Sequence, residues 1–238
     1  MSSWDLLAVV GVSALGAFVQ GSVGFGHNLV VAPALALVDE RFVPGPAIAS
    51  AALLTALMAL RDRRDVHLGE IRTALIGRIP ATILAAVTVA ALPADGLAVL
   101  FAALVLLAVA ITAVGPELRP TRNRLLVAGA LSGYMGTATS IGGPPLAVLY
   151  AAEHGRRLRG TLAGFFLVGT GMSLTALALT GSYGRPELGL SALPLPGVVL
   201  GFLASQWGAR WLDAGRIRPA VLAVSALAAA SVLAEALL

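Results

Sequence analysis

Apolar residues run in long uncharged stretches, and charges and turn formers fall between them. They divide the chain into eight hydrophobic segments at residues 4–38, 44–60, 71–92, 97–114, 125–152, 161–180, 190–212 and 219–238. These reach or approach the roughly 20 residues that carry a helix across a bilayer. Rich in alanine, leucine and valine with interspersed glycine, they predict packed membrane helices joined by short loops. Spacings such as Gly160/Gly164 and Gly197/Gly201 let neighbouring backbones approach closely. Packing within one bundle is the first reading of these spacings, and a homo-oligomer contact is the second.

Two segments interrupt the greasy pattern in the same way. Gly21-Ser22-Val23-Gly24 is followed by Pro33, and Gly133-Tyr134-Met135-Gly136 by Pro145. In a membrane protein, irregular backbone is tolerated only where it is buried in protein or lines a cavity. A matched pair in corresponding positions of two halves points to a transport site.

Composition agrees with the bilayer reading. Hydrophobic residues make up 58% of the 238 positions and charged residues 12%, against roughly 25% charged in soluble domains. An all-α polytopic membrane protein is expected, with no soluble domain beside it. The absence of cysteine excludes disulfides and thiolate metal sites. No metal-ligand cluster, phosphate-cradling loop or nucleophile–base constellation is visible, so neither an enzyme nor a cofactor is expected. The N-terminus carries Asp5, no basic stretch and no small-residue cleavage site, and is expected to belong to the mature protein.

The net charge of +4 rests on arginine alone, since the chain has no lysine. It follows a membrane-orientation pattern and forms no nucleic-acid patch. Arg61, Arg63, Arg64 and Arg72 flank the second and third segments, and Arg119, Arg122 and Arg124 precede the fifth. Arg156, Arg157 and Arg159 follow it, and Arg210, Arg216 and Arg218 separate the seventh and eighth. Only Arg41 and Arg185 occupy the other loops. By the positive-inside rule the four rich loops are cytoplasmic. Both flanks of the fifth segment are then cytoplasmic, so it cannot be one simple crossing. Two arms of about ten residues, each about 15 Å of helix, predict a re-entrant hairpin with its tip near the midplane. The first segment is its external counterpart. Each half, residues 1–120 and 121–238, becomes a hairpin followed by three crossings, and the odd number of crossings inverts one repeat relative to the other. The alternative is an eight-crossing bundle with kinked first and fifth helices.

At a hairpin tip the second arm begins with unpaired N–H groups and a positive dipole end, which binds anions. Pro144 and Pro145 suit the opening of such an arm. The candidate binding residues are Gln20, Ser22, Gly24, Phe25, Gly26, His27 and Asn28 from the first tip, with Thr137, Thr139, Ser140, Gly142 and Gly143 from the second. All 12 acidic residues fall at or near segment ends. Cation pumps and proton relays put carboxylates inside the membrane, so an anionic substrate is the better match. His27 is read as a substrate donor, as a proton carrier or as a structural imidazole. Arg78, inside the third segment, is read as snorkelling to the cytoplasmic interface or as a gate and attraction point for the anion. Trp4, Trp207, Trp211 and Tyr183 near segment ends fit an aromatic belt. Gln206 either lines the cavity or bonds between helices.

The stretches from Gly16 to Pro33 and from Gly133 to Pro145 resemble the two motifs of the TauE/SafE sulfite exporter family. The resemblance extends over essentially the whole chain. Where the family often has a further glycine run, this chain has His27 and Asn28. The resemblance implies export of a small sulfur-containing anion, such as sulfite or an organosulfonate, across the bacterial inner membrane. Alternating access around the two tips is the expected mode of transport. A channel-like pore for another small anion, such as a carboxylate, is the alternative.

Overall fold

The computed structural model describes residues 2–63, 66–114, 118–150 and 155–208. Among these every regular element is helical. The eighth hydrophobic segment, Arg64, Arg210, Arg216, Arg218 and Trp211 lie outside the described residues. The helices are α1 (Ser3–Val23), α2 (His27–Val38), α3 (Gly45–Arg61), α4 (Leu68–Ala91), α5 (Ala94–Val114), α6 (Arg122–Ala138), α7 (Pro144–Leu149), α8 (Arg156–Leu179), α9 (Arg185–Ser191) and α10 (Leu195–Gly208). Among the described residues, five stretches are long and apolar enough to cross a membrane: α1, α4, α5, α8 and the span Arg185–Trp207. Large apolar side chains such as Ile76, Ile79, Ile83 and Val87 of α4 stand exposed, as a lipid-facing surface requires and an aqueous one disfavours.

The first and fifth segments both turn back on themselves. Val31 and His27 of α2 lie against Gly16 of α1, and Leu35 shares a buried cluster with Val9, so α2 retraces α1. In the fifth segment the Ser132 hydroxyl donates to the Gly142 carbonyl at 2.6 Å. Leu149 clusters with Leu125 near the start of α6, so α7 retraces α6. The arms are unequal, unlike the matched arms of about ten residues expected. The 21 residues of α1 span about 30 Å and the 12 of α2 about 18 Å. The 17 of α6 and 6 of α7 differ in the same direction. Each hairpin is a long helix followed by a short return.

The breaks also differ from the glycine frame that signals them. Gly21, Gly133 and Gly136 remain helical and serve close packing: a Cβ on Gly21 would meet the Ser205 hydroxyl at 2.3 Å, and one on Gly133 the Arg78 carbonyl at 2.8 Å. The first chain reversal occurs at Gly24–Gly26, where φ values of 113° and 109° require residues without a Cβ. The second occurs over residues 139–143, with Ser140 at φ 64°. Pro145 falls in the first turn of α7, whereas Pro33 lies inside α2.

Two parallel helix pairs form the frame around these hairpins. Gly197, Gly201 and Ser205 of α10 follow Val10, Ala14 and Gly21 of α1 in register. On α4, Ala74, Arg78 and Val89 follow Gly129, Gly133 and Ala138 of α6. The pairs run in opposite directions. The C-terminal end of α1 meets Arg61 and Arg159, and that is the end at which α4 begins, His67 donating its backbone N–H to Thr161. Helices α3 and α8 pack together between the pairs.

Candidate functional site

A small cavity of about 40 Å³ lies where the two chain reversals face each other across α3, α4 and α8. Gln20, Gly26, Asn28 and Leu29 come from the first hairpin, and Gly136, Ser140, Ile141, Gly142 and Gly143 from the second. Ile48, Ala51 and Thr55 of α3, Arg78 of α4, and Phe166, Thr170 and Ser173 of α8 complete the wall. Asn28 joins the two hairpins: its side-chain N–H groups donate to the Ser140 carbonyl at 3.0 Å and the Ala47 carbonyl at 3.3 Å. Those two carbonyls orient the amide, and its oxygen is buried without a partner.

Arg78 is the main departure from expectation. Its side chain does not reach an interface; it is 2% exposed and inserts between α6 and α8. The small residues there make the room, since a Cβ on Gly169 would lie 2.6 Å from the guanidinium carbon. One terminal nitrogen donates to the Ser132 hydroxyl at 3.1 Å, and the other to the Ser173 hydroxyl and the Gly169 carbonyl at 3.0 and 3.1 Å. The guanidinium sits 5.3 Å from the centre of the Phe165 ring. Its Nε has no partner, and no carboxylate lies within ion-pair distance among the described residues. A buried charge is costly unless it is paired, and the partners of this one among the described residues are all neutral.

The other sequence candidates divide between wall and framework. Gln20, Gly26, Asn28, Ser140, Gly142 and Gly143 line the cavity. His27 does not: it is fully buried, its Nε2 lies 3.0 Å from the Ser50 hydroxyl, and its Nδ1 faces the Gly16 backbone. Gln20 fixes the start of α2 by accepting the His27 backbone N–H at 3.0 Å. Gly24 abuts Arg159 and Leu162, and Phe25 packs on Gly143. The Thr137 hydroxyl lies 2.8 Å from that of Ser173, and Thr139 donates to the Met135 carbonyl. Ser22 is buried outside the wall, and Gln206 is exposed on α10. Thr55, Thr170, Ser132 and Ser173 are additions that sequence alone did not single out. Their only signal was a hydroxyl in an apolar helix, which more often bonds the preceding turn.

Below the first reversal, Asp62 is 4% exposed and holds two arginines together. Arg61 donates to it at 3.2 Å and Arg159 at 3.4 Å, while Arg61 also reaches the Gly21 carbonyl at 2.8 Å. The group links α3 and α8 to the end of α1. Asp62→Asn leaves both guanidinium groups without their counter-charge and should cost roughly 1–3 kcal/mol. A lowered melting temperature in detergent is the expected result, and an unchanged one removes this link from the stabilising framework.

Membrane-length helices around an interior cavity define a multi-pass helical membrane protein. The chain belongs to the sulfite exporter TauE/SafE family, whose description matches residues 9–232. Members of this family are transporters. No curated protein and no solved structure matches the chain.

Proposed function

We propose that this protein is an exporter of a small sulfur-containing anion, such as sulfite or an organosulfonate, across the bacterial inner membrane. The cavity between the hairpin reversals is the binding site, and Arg78 supplies its positive charge. The observation that carries this reading is the burial of Arg78 beside an open cavity with only neutral partners. The sulfur chemistry comes from the family. Gly26 and Gly143 keep backbone accessible at the reversals, and the 12-residue α2 directs the positive end of its dipole toward the cavity from Gly26.

The mechanism is alternating access. The two parallel pairs of opposite direction, α1 with α10 and α4 with α6, are the relation expected of inverted repeats at residues 1–120 and 121–238. Rocking of one pair against the other about α3 and α8 exposes the cavity first to one side and then to the other. Proteoliposomes containing the purified protein should show counterflow of sulfite or a simple sulfonate. Absence of binding and flux for every sulfite, sulfonate and carboxylate tried would contradict the assignment, and flux without counterflow would identify a pore.

The topology has its own test. Arg122→Cys and Arg156→Cys flank the fifth segment, and both should react with an impermeant maleimide from the cytoplasmic side only. Labelling from opposite sides of the membrane would refute the re-entrant hairpin.

A further inference from the structure

We infer that the Arg78 cavity takes its anion in the singly charged form and discriminates against dianions. The inference rests on the reading of this cavity as the anion site, and extends it to the charge of the species carried. Arg78 is the one charged residue lining the cavity among the described residues. The hydroxyls around it are committed elsewhere. Thr55 donates to the Ala51 carbonyl at 2.8 Å, Thr170 to the Leu167 carbonyl at 3.0 Å and Ser173 to the Gly169 carbonyl at 3.0 Å. Both N–H groups of the Asn28 amide are spent on Ala47 and Ser140. What those hydroxyls have left for a ligand is acceptor lone pairs.

Such a wall carries one full positive charge and so neutralises one negative charge. A monoanion leaves the site neutral, while a dianion leaves an uncompensated charge in a low-dielectric interior. An anion that keeps a proton of its own also presents a donor to those lone pairs. For sulfite this selects hydrogensulfite, HSO3−, over SO3 2−. Protein titration does not enter this selection. The helices packed on Arg78, α6 and α8, bring no other charged side chain to the cavity, and His27 of α2 is held by Ser50 outside the wall.

Three probes test the inference on the full-length purified protein, by calorimetry on either side of the hydrogensulfite–sulfite ionisation. Methanesulfonate is a permanent monoanion, sulfate remains a dianion, and sulfite changes from one to the other. Methanesulfonate should bind with an affinity that does not move with pH. Sulfate should bind at least roughly ten-fold more weakly. The apparent affinity for total sulfite should fall about ten-fold per pH unit above the ionisation, the slope for one bound proton. Sulfate binding as tightly as methanesulfonate, or sulfite affinity that holds or rises with pH, overturns the charge selection while leaving an anion site in place. Failure of all three probes to bind removes the anion site itself, and the selection with it.

Discussion

Arg78→Met is expected to abolish anion binding and transport while leaving the fold as stable as before, or more so. Among the described residues the guanidinium is the one positive charge in the cavity wall, and its loss removes the attraction of a full charge at short range. At an effective dielectric near 20 that attraction is about 4 kcal/mol at 4 Å, so a loss of at least roughly hundred-fold in affinity is expected. The effect on folding runs the other way. Arg78 is buried with neutral partners alone, and replacing an uncompensated buried charge with an apolar side chain of similar length relieves its desolvation. Arg78→Lys keeps the charge but loses the planar fork that meets Ser132 and Ser173 on separate helices. It should retain weak binding. Counterflow and thermal denaturation measured together separate the outcomes. A variant that loses both folding and flux would show Arg78 to be structural, and one that keeps full flux would show the cavity to be bystander space.

Gly129→Leu is expected to prevent assembly. A Cβ at this position would lie 1.9 Å from the Ala74 carbonyl oxygen, and one on the facing Gly77 would lie 2.0 Å from the Leu126 carbonyl oxygen. These are backbone atoms, so no side chain can swing aside; α4 and α6 must separate along the seam that carries Arg78 to the cavity. The cost is expected to be at least about 3 kcal/mol, the upper part of the range for overpacking. Gly171→Leu is the control, because nothing lies within 4 Å of a Cβ there. The measurement is the monodisperse fraction after detergent extraction and its melting temperature. Equal behaviour of the two variants would dismiss the seam.

The sequence was most informative about where the chain turns and least informative about what faces the cavity. Long apolar runs and arginine asymmetry pointed to the two interrupted segments, because hydrophobic length and loop charge are properties of the chain itself. The glycine frame located both interruptions but not the turning residues. Glycine permits close helix contact as well as positive φ, and spacing does not distinguish Gly21, which packs, from Gly24, which turns. Ser140 makes the second turn without glycine at that position. Arg78 was ambiguous for a related reason. A guanidinium within a few residues of Arg72 has the reach to snorkel, and only the gap left by Gly133 and Gly169 on two other helices draws it inward. His27 is the histidine of the motif, yet its neighbours Gly16 and Ser50 are set by packing that no local pattern records.

An anion seated against Arg78 between the two chain reversals should be visible in a structure determined with methanesulfonate bound. Sulfonate density is expected within hydrogen-bond reach of the Arg78 guanidinium, bounded by Asn28, Ser140 and Thr170. Ligand density elsewhere, with the Arg78 cavity holding only water, would contradict it.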